Sequence, residues 1–177
     1  MIAMRRTHAL KFSLFLWIGL SLSLSSTTAQ AEAKVAGKKS LGGSGEMIQM
    51  NLTAEQRELS GIRIHGSRYG TAKPPQERFL IYILNPDLTE VIATEMAPYA
   101  LFERGAEQWV EIKFPKPVTV PADAWIAVDF RAGRTKGVYV SYDDSTKGNR
   151  SRIGLPGIEP KPTGFSGNWM IEPILVP

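Results

Sequence analysis

His65 is the only histidine after Ala31, and the chain has no cysteine. Together these facts remove disulfides, thiolate nucleophiles, iron–sulfur clusters and cysteine-ligated zinc, and they leave too few imidazoles for a histidine-rich zinc site. A Ser–His–Asp arrangement around His65 is open on composition alone. No G-x-S-x-G elbow occurs, however, and Ser67 falls on the same strand face as His65 rather than across a cleft. His65, next to Gly66, therefore reads as a strand-end packing residue.

Asp143, Asp144 and Asn149 place hard oxygen donors in one loop. Calcium takes such ligands in sets of roughly six to eight, so calcium is the one cofactor the sequence leaves open. The competing reading is a polar turn between Tyr142 and Ser151, in which Asp and Asn side chains cap backbone amides. The spacing is not that of an EF-hand, which favours the turn. The paired carboxylates of a glycosidase-like hydrolase meet in space and leave no local motif, so Glu103, Glu107, Glu111 and Asp129 are candidates only in that sense.

The aromatic residues offer a different chemistry. Trp109 falls on the polar face of its strand, Tyr99 and Phe102 lie in the preceding loop, and Tyr139 alternates with the core positions Val138 and Val140. Flat rings exposed on a β-sandwich grip pyranose faces by apolar stacking, with a few polar groups at the edge. The alternative is that these rings cover a sheet edge or an outer sheet face. Trp125 and Trp169 read as core. Arg68 and Arg104 sit in glycine-containing loops, where they either capture a ligand, hold their loops through carbonyl groups, or pair with Asp143 or Glu103. The planar guanidinium fork suits the fixed structural role.

Positioning these side chains falls to short strands. Residues 47–52 alternate, with Ile48, Met50 and Leu52 on one face. Thr53 and Gln56 fit a capping box for one helical turn. Residues 61–65 form a second strand, and residues 78–84, apolar on both faces, a central one. Asn85-Pro86-Asp87 then turns the chain into a returning strand at residues 90–96. Over residues 108–114, Val110, Ile112 and Phe114 face in while Trp109, Glu111 and Lys113 face out. Pro115, Pro117 and Pro121 confine the segment they bracket to a sheet edge or a crossover, because proline cannot donate to a central ladder. Residues 124–130, 137–142, 151–154 and 168–176 complete the set, and residues 155–167 are loop. Eight or nine short strands, with no sustained helical period, predict an all-β protein. A β-sandwich is the expected architecture, most simply a jelly roll. Ile81, Ile83, Val110, Ile112, Ile126, Val128, Val138 and Val140 are the expected core.

The folded domain is expected over residues 46–177. Ahead of it, Arg5, Arg6 and Lys11 lead into an apolar run, FSLFLWIGLSLSL, and then a polar stretch ending in Ala29-Gln30-Ala31. That is the layout of a cleaved signal peptide over residues 1–31. The run of thirteen apolar and small residues is short for a bilayer core of about 30 Å. The expectation is export, to the periplasm or the medium, without stable membrane insertion after cleavage. Residues 32–45, lacking hydrophobic period and ending Gly-Gly-Ser-Gly, read as a flexible linker. Removing Arg5, Arg6 and Lys11 from the 21 basic residues leaves 18 against 17 acidic. So neutral a balance excludes non-specific nucleic-acid binding, which needs a concentrated basic surface.

Several short motifs carry a resemblance. They are Ile64-His65-Gly66-Ser67-Arg68-Tyr69-Gly70, Pro98-Tyr99, Phe102-Glu103-Arg104-Gly105, Thr135-Lys136-Gly137-Val138-Tyr139-Val140-Ser141-Tyr142-Asp143, Leu155-Pro156-Gly157 and Trp169-Met170-Ile171. From Ile62 onward, about two thirds of the chain, the sequence resembles a module of bacterial extracytoplasmic proteins. It is similar to the C-terminal β-sandwich of some secreted serine peptidases of the C-terminal-processing type, and to a like module in antirepressor-type sensor metallopeptidases. The resemblance implies a sandwich fold and an extracytoplasmic compartment. It implies no activity, because the peptidase domains that accompany the module have no counterpart here. The sequence thus points to an exported, non-enzymatic binding or accessory domain whose partner is a glycan or another envelope protein. The alternatives are a hydrolase built on paired carboxylates and a purely structural envelope protein.

Mass spectrometry of the exported protein should find the mature N-terminus at Glu32. A chain retaining Met1 or Met4 in the membrane fraction would instead establish an anchor.

Overall fold

The computed structural model describes residues 34–144 and 150–177. The leader expected over residues 1–31 and the candidate metal ligand Asn149 lie outside them. The strands are β1 (Val35–Lys39), β2 (Glu46–Gln49), β3 (Glu58–Gly70), β4 (Arg78–Leu84), β5 (Val91–Pro98), β6 (Gln108–Thr119), β7 (Trp125–Asp129), β8 (Lys136–Asp143), β9 (Ser151–Ile153) and β10 (Ile171–Leu175). Among the described residues the only helical turn is a 3₁₀ turn at Tyr99–Leu101, and no helix is long and apolar enough to cross a membrane.

Two antiparallel five-stranded sheets pack as a β-sandwich. One runs β1-β8-β3-β10 with β6 also on β3; the other runs β5-β4-β7-β2-β9. These orders establish the sandwich and leave the jelly-roll connectivity unassigned. The alternation of β-branched residues predicts the interior correctly. Ile81, Ile83, Ile126, Val128, Val138 and Val140 are fully buried, and Val110 and Ile112 nearly so. Trp169 belongs to the same core, whereas Trp125 lies on the outer face of the second sheet in a separate cluster with Met47, Leu84 and Ala127. The Asn85 carboxamide closes the β4–β5 hairpin by accepting the Thr89 and Glu90 amides. β6 is an edge strand, as its prolines require. Its pairing slips from Leu59–Val118 to Gly61–Lys113, so residues 114–117 bulge away from β3.

Two local expectations need correction. Residues 35–39, expected within a flexible linker, form β1, paired with β8 from Val35–Asp143 to Lys39–Val140. Backbone pairing at an edge asks for no hydrophobic period, and β1 is mostly exposed, so its sequence carries none. Residues 53–57 form a turn and no helix. Gln56 donates its amide to the Thr53 carbonyl while its side chain accepts the Thr53 amide, half of a capping box before β3 begins.

Residues 40–45 carry the chain from β1 in one sheet to β2 in the other. Gly42, Gly43 and Gly45 all adopt positive φ there. At Gly45 a Cβ would stand 2.0 Å from the Gly154 carbonyl, so the crossing admits no side chain at that point. Beneath it Glu46 is 2 % exposed, and its carboxylate accepts the Leu41 amide at 3.2 Å. Burial lifts the Glu46 pKa from 4.5 to about 8; the Leu41 and Glu46 amides oppose this, and the Asp129 charge adds to it.

A carboxyl that holds its proton more tightly folded than unfolded contributes stability in full below pH 4.5 and loses it as pH rises to about 8. Glu46→Gln keeps an acceptor for Leu41 but cannot ionise. It should flatten the fall in melting temperature between pH 4.5 and about 8 and exceed the wild type above that range. Superimposable wild-type and Glu46→Gln profiles in thermal melts across pH would disprove the role of this carboxyl.

Candidate functional site

Alternation along β3 sends Ile62 and Ile64 inward and Arg63, His65, Ser67 and Tyr69 outward. Register then assembles neighbours on that outer face. His65 lies opposite Trp109 of β6, Arg63 opposite Glu111 of β6 and Glu172 of β10, and Ser67 opposite Tyr139 of β8. Tyr69 lies opposite Gly137, where a Cβ would come within 2.3 Å of the phenol ring, so the glycine lets Tyr69 lie flat across β8.

The result is a band of rings interleaved with polar groups. Tyr69 and Tyr139 pack with centroids 4.7 Å apart, and Tyr139 is 37 % exposed. The Tyr69 hydroxyl donates to the Gly133 carbonyl and lies 3.1 Å from the Ser40 hydroxyl. Lys38 of β1 holds its ammonium 5.3 Å from the Tyr139 centroid and ion-pairs with Glu107, which also accepts the Ser67 hydroxyl at 3.0 Å. Hydrogen bonding from Lys38, and to a lesser degree from Ser67, holds the Glu107 carboxyl below its ordinary range against the opposing effect of burial. Glu107 is therefore an ionised acceptor at neutral pH and is unsuited to be a general acid.

Trp109 is partly buried. The Arg63 guanidinium lies 4.5 Å above its ring and is itself paired with Glu172 at 2.5 Å, while His65 meets it edge-on at 5.3 Å. Its cover thus comes from strand neighbours. His65 Nδ1 lies 2.8 Å from Ser141 Oγ, but Ser141 is wholly buried and presents no nucleophile to solvent.

Other candidates take structural places. Tyr99 and Phe102, expected in a ring platform, are 0 % and 1 % exposed and pack on Phe79, with Phe102 also against Phe130. A loop has no alternation from which to read this inward direction. The Tyr99 hydroxyl has no hydrogen-bond partner among the described residues, and burial raises its pKa to about 12. Arg68 is buried and donates to the Phe102, Thr71 and Ala72 carbonyls, while its amide donates to the Glu103 carbonyl. It staples two loops to β3. Arg104 bridges to Arg68 through backbone and its side chain is exposed. Neither arginine joins the ring band.

Asp143 accepts the amide of Asn168, from a distant segment, at 2.7 Å, and Asp144 is exposed. Among the described residues no group of three His, Asp or Glu side chains stands close enough to share a metal ion. Of the acids weighed for hydrolysis, Glu103 and Glu111 are exposed, and Asp129 accepts the Arg131 amide. Lys38, Arg63 and Tyr69 are members of the band that sequence reading passed over. Extending the alternation of His65 through Gly66 to Tyr69 would have found the last.

Because Trp109 is only partly buried, under Arg63 and beside His65, Trp109→Ala should destabilise the protein by about 1–3 kcal/mol, less than a fully enclosed ring would. Chemical denaturation of wild type and variant measures this. A loss below about 0.5 kcal/mol would show that the Arg63 and His65 contacts carry no weight.

Set beside known families, curated proteins and solved structures, the chain finds no match in any of the three.

Proposed function

We propose that the protein is an exported, non-enzymatic binding domain of the bacterial envelope, and that it takes a glycan on the outer face of the β1-β8-β3-β10 sheet. The observation that carries this reading is the pairing of Tyr69 with a 37 % exposed Tyr139 on a flat strand surface, edged by Ser67, Glu107 and Lys38. Aromatic faces supply the apolar stacking a pyranose ring needs, and the polar groups beside them supply orientation. The leader-like sequence of residues 1–31 and the resemblance to an extracytoplasmic accessory module support the same compartment. Glu107, the carboxylate beside these rings, is held below its ordinary range by Lys38, and the raised carboxyl, Glu46, is sealed from solvent, so neither is placed to protonate a glycosidic oxygen.

Calorimetric titration with cell-wall fragments and soluble polysaccharides tests the proposal. One glycan class should bind, Tyr139→Ala should weaken it at least about tenfold, and the melting temperature should fall only modestly because the ring is partly exposed. Silence against every polymer, with a defined envelope protein recovered instead, would overturn the glycan reading.

A further inference from the structure

The Lys38 ammonium sits where a carboxylate, a hydroxyl and an aromatic face converge. Glu107 bonds it through Oε1, Ser67 donates to that same oxygen, and the Tyr139 ring lies beneath. A carboxylate beside an aromatic face is the pair of features that recognises an organic ammonium group.

The two halves of this contact differ in how firmly they are held. Ser67 is buried on β3, Tyr139 pairs directly with it from β8, and Glu107 stands just ahead of β6. The acceptor half is thus built on the central strand and its two partners. The ammonium half is a lysine with 45 % of its side chain exposed, on a strand that pairs, among the described residues, only with β8. Its four-carbon stem swings into solvent without moving backbone. An exposed ion pair of this kind is weak, so another ammonium can replace it at small cost.

We propose that Glu107, Ser67 and Tyr139 form a subsite for the primary ammonium of a ligand, an amino sugar within a glycan that carries free amines, and that Lys38 is a tethered occupant which the ligand displaces. Tyr69, beside Tyr139, extends the apolar surface on which the pyranose bearing the amine would lie. This inference rests on the glycan reading of the ring band and names its substrate class.

The test is calorimetric titration of wild type, Lys38→Met and Glu107→Gln with glucosamine oligomers and with N-acetylglucosamine oligomers of equal length, at about pH 6, where amines are protonated. The wild type should prefer the free-amine oligomer. Lys38→Met should raise affinity for it about three- to fivefold, the range of an exposed ion pair, and should give the acetylated oligomer no such gain. Glu107→Gln should lower affinity for the free-amine oligomer by about tenfold and for the acetylated oligomer by much less. Melting curves confirm that both variants fold. Equal affinity for the two oligomers, indifferent to Glu107 but lost in Tyr139→Ala, would overturn the ammonium subsite and leave the ring-band reading standing. Binding of neither oligomer, with a different glycan held through Tyr139, would also overturn the subsite alone. Absence of any glycan binding would overturn both.

Discussion

β3 must satisfy one of its edges with two successive partners. β10 pairs along it from Leu59 to Ile64, and β8 takes over from Gly66 to Gly70. At the handover the strands part, and residues 168–170 enter between β3 and β8: the His65 amide donates to the Met170 carbonyl and the Met170 amide to the Ser141 carbonyl. Every buried amide at such a junction needs an acceptor. Asp143 takes the Asn168 amide, Asn168 takes the Arg150 amide, and the Ser151 hydroxyl takes the Trp169 amide. Backbone approaches are close, and at Gly66 a Cβ would stand 2.5 Å from the Tyr139 carbonyl. Of the residues that resemble a cation loop in sequence, Asp143 is engaged in this junction through the Asn168 amide.

The ring band arises from the same constraint. Because β3 stays continuous through the handover, its outward positions from Arg63 to Tyr69 form one row that touches β10, β6 and β8 in turn. Side chains from strands distant in sequence meet only because β3 lies between them. The core, Ile62 and Ile64 on β3 with Val138 and Val140 on β8, holds this arrangement. The ion pairs on the outer face add little to stability, since exposed pairs are worth about 0–1 kcal/mol each. Arg68 differs: buried, with three carbonyl partners, it fixes the loops at the end of β3 and is structural in the strict sense.

Legibility in the sequence tracks this division. Inward positions of β4, β6, β7 and β8 could be read because alternation of β-branched residues is imposed by the core itself. Trp109 could be placed outward by the same rule, but the identity of its cover could not, since Arg63 reaches it diagonally from a strand far away in sequence. Tyr99 and Phe102 were misdirected because a loop has no period. β1 was invisible because an exposed edge strand pairs through backbone and imposes almost no demand on side chains. Its one demand is small size at Gly37, where Tyr142 lies so close that a Cβ would fall 2.4 Å from its hydroxyl oxygen.

That demand recurs on the neighbouring strand. Tyr142 over Gly37 and Tyr69 over Gly137 are both direct cross-strand pairs, and in each the ring occupies the space a side chain would have filled. An aromatic ring laid across a glycine recovers the apolar contact the glycine lacks. In both cases it also fixes where the polar neighbours fall. Tyr142 stacks on Phe165, which brings the Lys39 ammonium over the Phe165 ring. Tyr69 packs against Tyr139, over which Lys38 reaches to Glu107. β1, joined to β2 through the same short crossing that seals Glu46, thus delivers consecutive lysines to two separate aromatic sites. The glycine positions, more than the lysines themselves, determine that geometry, because they set how flat the rings lie.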